Sequence, residues 1–303
     1  MILATPLIES FSIQEPSVEI DFLLKKGCES LFEGHPHIHE VLVWDKNKNK
    51  YSHLFELLIQ IRKRRYDYVF NLQRFASSGF LTVFSNAKHT SGFNKNPFSF
   101  FYKNKVRHII GTGTRLHEID RNLMLIENIV EPIRLIKLYP SLNDQEQVKK
   151  YKKNPYICIA PASLWETKKL PEKKWIEFLN SLPEELNVFL IGSNNDENLC
   201  NNIIQKSVKT SIENLAGKLS LLQTAALIKD SKMNFTNDSA PQHLASAMNA
   251  PVASIFCSTI PAFGFGPLSE YSFIIETKEK LGCRPCGIHG FTSCPEKHFK
   301  CAT

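Results

Sequence analysis

The sequence predicts an α/β protein of two domains, each a doubly wound parallel sheet. Three observations support this prediction. At 303 residues, the chain is long enough for two domains with substantial cores. Its composition, 43% hydrophobic and 22% charged, is ordinary for a soluble globular protein. Short apolar runs that suit strands alternate with amphipathic stretches of helical spacing, and this alternation favours parallel sheets.

The first half of the chain begins the alternation and ends at a polar, Lys-rich stretch. That stretch, residues 138–155, predicts the boundary between domains of residues 1–145 and 146–303. The predicted elements before it are strands at 18–24, 40–45 and 66–73, a helix at 51–66, a helix and short strand within 81–93, and a helix at 117–130 with Leu123, Ile126 and Val130 on one side.

The second half repeats the alternation. Pro171 suits the first position of a helix, where its missing N–H costs no hydrogen bond. Ligands of such sheets bind beyond the carboxyl ends of the strands, so we expect functional residues there. The predicted strands are 156–163, 187–193, 211–217, 232–238 and 251–256, and the predicted helices are 171–182, 197–207, 220–231 and 241–249.

The net charge of +7 is concentrated in the first half. Residues 1–150 contain 21 Lys/Arg and 16 Asp/Glu, with basic runs at 46–50, 62–65 and 103–108. Such runs suit a solvated surface, an anionic ligand or a membrane surface. No nucleic-acid-binding motif accompanies them, so we expect no nucleic-acid partner. No apolar run approaches the length of a membrane span and no signal peptide is evident, so we expect a cytoplasmic protein.

A strand gives way to a helix at Asp238-Ser239-Ala240-Pro241. The unbonded N–H groups of a helix start, helped by the helix dipole, bind anions such as phosphate. Ser239 and Ala240 can offer such groups, and His243 faces the same mouth one turn later. Asp238 suits either a plain helix N-cap or a carboxylate that accepts bonds from sugar hydroxyls. A Ser-His-Asp triad is a poor interpretation, because these residues lie too close along one turn.

A second strand–loop–helix junction lies at residues 160–175. The hydroxyl of Ser163 could bond a phosphate, and Lys168 or Lys169 could neutralise its charge. A single loop lysine is usually solvated, but two phosphate-suited junctions in one domain favour a phosphate site.

Four of the eight cysteines crowd the end of the chain, at Cys283, Cys286, Cys294 and Cys301. A CxxC pair followed by two further cysteines suits a structural zinc site, which His289 or His298 could join. Free thiols and a local disulfide are the alternatives.

These segments together resemble glycosyltransferase family 9, the ADP-heptose:lipopolysaccharide heptosyltransferases. The resemblance rests on "PASLWETKKLPEKKW", "NLAGKLSLLQTAALI", "NDSAPQHLASAMNAPVASIF", the Cys-rich tail, and "ILATPLI", "YDYVFNLQ", "SGF" and "HEIDRNL" in the first half. It implies the GT-B fold, with two Rossmann-like domains facing a central cleft. The N-terminal domain would bind the acceptor and the C-terminal domain the nucleotide sugar.

The resemblance implies an inverting transfer of heptose from ADP-heptose to the lipopolysaccharide inner core, without a cofactor or a metal at the donor. The acceptor would lie at the cytoplasmic membrane face, with peripheral association of the protein with the inner membrane as one alternative. Ser163 and Lys168 would hold the pyrophosphate, which Ser239 and Ala240 would bind through N–H groups. The remaining donor contacts would be Asp238 to heptose hydroxyls, His243 beside the diphosphate, Glu197 to the ribose, and the backbone near Leu219 to the adenine.

Two departures from the family pattern bear on activity. Ala240 replaces the usual Gly, which would be strained if that position needed φ > 0. In the family, the general base is an Asp that follows a first hydrophobic strand, and the matching position would precede Met1. We therefore expect that strand to be missing, and we assign no catalytic residue in this sequence. His117 and Glu118 are weak candidates for a replacement. A remnant nucleotide-sugar-binding protein, or a transferase of another nucleotide-linked sugar, is therefore the alternative function.

Overall fold

The computed structural model describes residues 1–47, 49–111, 113 and 116–302, so Lys48 of the basic run 46–50 lies outside the described residues. The chain forms two compact units, Met1–Lys137 and Leu138–Thr303. The predicted boundary at 145/146 falls inside the second unit. The reason is that the helix Leu142–Val148 packs on a later helix of that unit and fully buries Val148.

The N-terminal unit arranges its strands in two parallel sheets. One pairs β1 with β2, and the other has the order β3-β4-β5. Its elements are α1 (Thr5–Gln14), β1 (Asp21–Lys25), β2 (Glu40–Trp44), α2 (Lys50–Arg64), β3 (Tyr68–Asn71), α3 (Ala76–Phe84), β4 (His89–Phe93), β5 (Asn104–Val106) and α4 (Glu118–Leu123).

Among the described residues of this unit, two hydrophobic clusters contribute to the core. One joins α2 to β2 and α3, and the other packs Leu7 of α1 against Phe93 and the segment 123–130. The helix predicted at 117–130 ends at Leu123 and continues as turns, yet Leu123, Ile126 and Val130 are all buried. The apolar spacing therefore identified the buried side chains correctly and the length of the helix wrongly.

The C-terminal unit contains one six-stranded, fully parallel sheet with the order β11-β10-β9-β6-β7-β8. Its helices are α5 (Leu142–Val148), α6 (Glu172–Asn180), α7 (Glu197–Lys206), α8 (Leu221–Lys229) and α9 (Ala240–Ala247). Its strands are β6 (Tyr156–Ala160), β7 (Asn187–Leu190), β8 (Ile212–Asn214), β9 (Asn234–Asn237), β10 (Val252–Phe256) and β11 (Ser272–Glu276).

The chain reverses direction across this sheet between β6 and β9. From β6 it builds outward through β7 to β8, and it then returns to the other side of β6 with β9. In a doubly wound sheet, this point of reversal leaves a crevice at the carboxyl ends of the two central strands. The predicted doubly wound fold is therefore confirmed for the second unit, and the crevice is the expected ligand site.

Several elements of the structure were not predicted from the sequence. The edge strand β11 is exposed at every position, so no alternation of buried and exposed residues reveals it. Helix α5 begins with a capping box at Ser141 and Asp144, but its polar composition made it look like a linker. None of the helices in the described part of the chain is both long and apolar enough to span a membrane.

Candidate donor-binding site

The candidate site lies where β6 and β9 end side by side. Residues after β9 lead through Asp238 into α9, and residues after β6 form the loop that contains Ser163 and Lys168. Lys168 and Asp238, which are 70 positions apart in the sequence, meet here. The lysine Nζ lies 2.6 Å from Oδ2 of the aspartate, and both side chains are largely buried. The fold thus brings the two predicted phosphate-suited junctions together.

Asp238 is held by three side chains at once. Besides Lys168, the hydroxyl of Thr259 donates to its Oδ2 at 2.6 Å, and the amide of Gln242 donates to its Oδ1 at 3.1 Å. Thr259 follows β10 and Lys168 follows β6, so residues after the strands on both sides of β9 hold the carboxylate. A carboxylate with an adjacent cation and two further donors is held in one orientation.

The capping interpretation of Asp238 is wrong. The N-cap of α9 is Ser239, and the aspartate side chain bonds Lys168, Thr259 and Gln242. The hydroxyl of Ser239 points back to the carbonyl of Asn237 at 3.3 Å and makes no capping bond with the helix. The start of α9 is therefore not closed by a side-chain cap, which is the condition for an anion to use its N–H groups.

Ala240 is the first residue of α9, and its φ is not positive. The strain that an alanine would suffer in a left-handed conformation therefore does not arise at this position. His243 lies three residues further along α9, on the turn that opens toward the carboxyl end of β9.

Asn237 fixes the loop that carries Ser163 and Lys168. This fully buried side chain donates to the carbonyl of Pro161 at 2.8 Å and accepts from the N–H of Leu170 at 2.9 Å. The two bonds hold both ends of the loop against the end of β9. Asn237 was predicted to lie within a strand, and no role was predicted for it.

The C-terminal tail supports the same loop from the other side. Gly290 has φ +78°, and a Cβ added there would lie 2.8 Å from the hydroxyl of Thr167 and 3.1 Å from Cγ of Lys168. Thr167 in turn exchanges bonds with the backbone of Phe291 and accepts from Ser258 after β10. The tail is therefore packed closely against the residue next to Lys168.

Arg284 anchors this tail to the end of β10. Its guanidinium donates to the carbonyls of Phe256, Cys257 and Thr259 and pairs with Glu276 at 2.7 Å. Because Thr259 also holds Asp238, the tail and the candidate site share one support.

Glu197 and Leu219 lie one and two strands away from β6. Glu197 begins α7 after β7, with its side chain exposed, and Leu219 is half-buried in the loop that follows β8. Gly217, at φ +75°, allows this loop to approach Asn194 so closely that a Cβ would collide with the asparagine side chain. The predicted nucleoside contacts therefore follow neighbouring strands at the same edge of the sheet as Ser163 and Asp238.

His117 and Glu118 have structural roles in the N-terminal unit. His117 is the N-cap of α4, and its Nδ1 accepts from the N–H of Ile119 at 3.2 Å. Glu118 pairs with Arg121 at 2.7 Å and with His108 at 3.1 Å. Burial alone would raise the pKa of Glu118, but the bonds from His108 and Arg121 outweigh it and lower the pKa. Because both side chains make these structural bonds, neither residue is arranged to act as a general base.

The tail cysteines surround a cavity of about 270 Å³, which Cys283, Cys286, Cys294, Cys301 and His298 help to line. All eight cysteines of the chain are free thiols. Burial, followed by the neighbouring Cys286 and Cys294, raises the pKa of Cys301 to about 11. The Sγ of Cys283 lies 3.9 Å from Nε2 of His298. Among the described residues, however, no three metal-binding atoms of this tail lie within 4.8 Å of one another.

A group of three such atoms does occur in the N-terminal unit, at Asp21, His39 and Glu40. Arg64 pairs with both carboxylates there, so a guanidinium already supplies the positive charge.

Comparison with known proteins decides the family. The profile described as "Glycosyltransferase family 9 (heptosyltransferase)" matches residues 54–288, more than three-quarters of the chain. The chain belongs to glycosyltransferase family 9. This family-9 chain is 25% identical to lipooligosaccharide heptosyltransferase 2 of Haemophilus influenzae, over 92% of its own length and 86% of that protein.

Solved structures show the same fold. The Escherichia coli ADP-heptose lipopolysaccharide heptosyltransferase II matches with a TM-score of 0.79 and 20% identity, over 94% of this chain and 92% of that one. The E. coli heptosyltransferase WaaC with ADP-2-deoxy-2-fluoro heptose matches with a TM-score of 0.72 and 16% identity, over 91% and 89%. The predicted GT-B type of fold and the prediction of a glycosyltransferase are confirmed.

The candidate site includes residues that were not predicted from the sequence. Asn237, Thr259 and Arg284 position the predicted residues through bonds to loop backbone and to Asp238. Asn237 is the one that a sequence signal could have found, because it directly precedes Asp238 at the end of a predicted strand. Thr259 and Arg284 are separated from their partners by long stretches of chain, and only the sheet order shows that they meet.

Proposed function

We propose that this family-9 chain transfers heptose from ADP-heptose to the inner core of lipopolysaccharide, with inversion at the anomeric carbon. One observation supports this most: Lys168 and Asp238 meet beside the start of α9, at the point where the doubly wound sheet reverses. This arrangement combines a cation and helix N–H groups for a diphosphate with an oriented carboxylate for sugar hydroxyls.

In this proposal, the diphosphate of the donor lies between the loop after β6 and the start of α9. The hydroxyl of Ser163 and the ammonium of Lys168 bond its oxygens, the N–H groups of Ser239 and Ala240 bind it from the other side, and His243 lies beside it. As the acceptor hydroxyl gives up its proton to solvent and its oxygen bonds to the anomeric carbon, the bond from that carbon to ADP breaks and its electron pair stays on the phosphate. Lys168 and the helix dipole stabilise the charge that develops there, so the leaving group needs no metal.

Asp238 would accept hydrogen bonds from heptose hydroxyls. A carboxylate offers about four acceptor positions, of which Lys168, Thr259 and Gln242 occupy three. One position is therefore open for a hydroxyl, and a second would open when Lys168 bonds the diphosphate. The adenosine would extend along the sheet edge toward β7 and β8, with Glu197 at the ribose and the backbone near Leu219 at the adenine. The order of these strands matches the order of groups in the donor.

The N-terminal unit would bind the acceptor. A lipopolysaccharide core carries phosphate groups and is attached to lipid, so the reaction would take place at the cytoplasmic face of the inner membrane. The excess of Lys and Arg in this part of the chain suits such a partner.

The direct test is the release of ADP from ADP-heptose by the purified protein, with and without a core acceptor. We expect release only when the acceptor is present, and strong loss in Lys168→Met but not in the exposed control Lys173→Met. Absence of ADP release with every core acceptor would refute the proposed reaction. Thermal shifts with a panel of nucleotide sugars would then identify another donor or a protein that only binds one, because a ligand stabilises the state that binds it.

A structural zinc at Cys283, Cys286, Cys294 and Cys301 stays a prediction. The cavity that these thiols line supports it, and the distances between the donor atoms require the tail to contract around an ion. Elemental analysis of the purified protein, compared with Cys286→Ser, would decide it.

A further inference from the structure

The N-terminal unit presents an exposed aromatic face. On α2, the side chains of Tyr51, Phe55 and Ile59 follow one another at every fourth position and are 69%, 55% and 54% exposed. Phe84 ends α3 with 44% exposure, and Phe100 and Phe101 are 80% and 64% exposed. We call these six side chains the aromatic face.

Ring contacts connect the members of this face. The ring of Phe80 lies 5.7 Å from that of Phe55, 4.9 Å from that of Phe84 and 6.5 Å from that of Phe98. Phe100 and Phe101 occupy a single helical turn directly after Phe98. Phe55 on α2 and Phe84 on α3 therefore belong to one ring cluster with Phe80 and Phe98, and Phe100 and Phe101 follow Phe98 directly along the chain.

The segment of the chain that contains the aromatic face is strongly basic. Residues 46–107 contain 13 Lys/Arg and only two acids, Glu56 and Asp67, whereas the rest of the chain contains 24 Lys/Arg and 28 Asp/Glu. The ammonium groups of Lys50 and Lys105 lie 5.2 and 5.6 Å from the ring centres of Tyr51 and Phe100. Asp67 is neutralised by Lys88, which leaves Glu56 on α2 as the acid beside the aromatic face.

We propose that the aromatic face docks on the surface of an anionic lipid bilayer. Its rings would enter the interface between headgroups and acyl chains, while the surrounding cations bind lipid phosphates. Apolar side chains alone would suit a protein partner, but exposed aromatic rings with adjacent ammonium groups in a strongly basic segment match the charge and the layering of a bilayer. Docking here would hold the enzyme where a lipid-linked acceptor lies.

The inference rests on the proposed function for its purpose, but lipid binding can be measured without donor or acceptor. The full chain is mixed with vesicles of phosphatidylcholine alone or with phosphatidylglycerol, and bound protein is separated by flotation at low and high salt. We expect binding to the anionic vesicles only, and weaker binding at high salt because the charges are screened.

Two double variants test the residues. Binding should weaken at least about tenfold in each of two variants, Phe100→Ser/Phe101→Ser and Lys63→Glu/Lys105→Glu. For the lysine variant, the reason is that each basic residue near an anionic surface contributes on the order of a factor of five. The matched controls in the other unit, Tyr271→Ser/Phe273→Ser and Lys173→Glu/Lys174→Glu, change comparably exposed side chains and should bind as the wild type does.

Two further measurements separate this inference from the proposed function. ADP release with a water-soluble, deacylated core acceptor should be unchanged in Phe100→Ser/Phe101→Ser, while release with acceptor in vesicles should fall. The inference is overturned by a wild type that ignores anionic vesicles, by double variants that bind as well as their controls, or by size-exclusion data showing that the face joins two copies of the chain. None of these results decides whether the protein is active on the soluble acceptor, because that activity is measured separately.

Discussion

Replacing Thr259 with Val tests how the carboxylate of Asp238 is held. The substitution keeps the shape of a side chain that is 1% exposed and removes only the hydroxyl that donates to Asp238 at 2.6 Å. A hydrogen bond to a charged group contributes about 1.5–3 kcal/mol, so the free energy of unfolding should fall by about that amount. For a unit of this size, the melting temperature should fall by about 3–12 °C. Since Asp238 loses one of its three holding groups, donor affinity should fall about 3- to 10-fold.

The assay pairs thermal unfolding with a binding isotherm for the donor. Thr236→Val is the matched control, because Thr236 is equally buried but its hydroxyl pairs at 3.3 Å with the neutral hydroxyl of Ser254. It should lose about 0.5–1.5 kcal/mol and keep its donor affinity. Equal losses in the two variants, or unchanged donor affinity in Thr259→Val, would refute the claim that Thr259 positions the carboxylate.

Three further changes test other parts of the structure. Asn237→Ala breaks the bonds at 2.8 and 2.9 Å that hold the loop ends at Pro161 and Leu170, so urea unfolding should show a loss of about 2–4 kcal/mol; a smaller loss than in the exposed Asn180→Ala would contradict this role. Arg284→Met should release the tail from β10, and limited proteolysis should then cut after residue 276 faster than in the wild type; equal rates would exclude the anchor. Glu118→Gln tests a pH dependence. Because the folded pKa of Glu118 lies below its ordinary 4.5, its stabilisation is present above that value and is lost as the pH falls through the folded pKa. The wild type should therefore exceed the variant in unfolding free energy at about pH 7, and the difference should shrink at about pH 3.5; a difference that does not change with pH would contradict this.

The sequence predicted most of the second unit because its strands are buried on both faces. Strands β6 and β10 are buried at all five positions, and such continuous apolar runs are easy to recognise. Strand β11 was not predicted because it lies at the sheet edge with every residue exposed. The exact domain boundary also escaped, since the polar helix α5 gives little local evidence of the contact with α8 that assigns it to the second unit.

The candidate site was predictable where one short segment contains both the strand end and the helix start. Asp238, Ser239 and Ala240 satisfy this condition, and Ser163 and Lys168 nearly do. The choice between capping and ligand binding at Asp238 was not predictable, because it depends on Thr259 and on Lys168. Both residues lie near the aspartate because the strands that precede them are neighbours of β9 in the sheet. The order of strands depends on the folding of the whole unit and not on a local segment.

The contact between Lys168 and Asp238 has a consequence for selectivity among anions. Without donor, the ammonium is already neutralised at 2.6 Å in a largely buried site. An incoming anion must therefore compete with a carboxylate that is also held by Thr259 and Gln242. An inorganic phosphate that takes Lys168 from Asp238 leaves the carboxylate without its cation and gives it nothing in return. A diphosphate attached to a sugar also takes the lysine, but the sugar hydroxyls then donate hydrogen bonds to the carboxylate. The ion pair would then make the site selective for nucleotide sugars over common cellular anions.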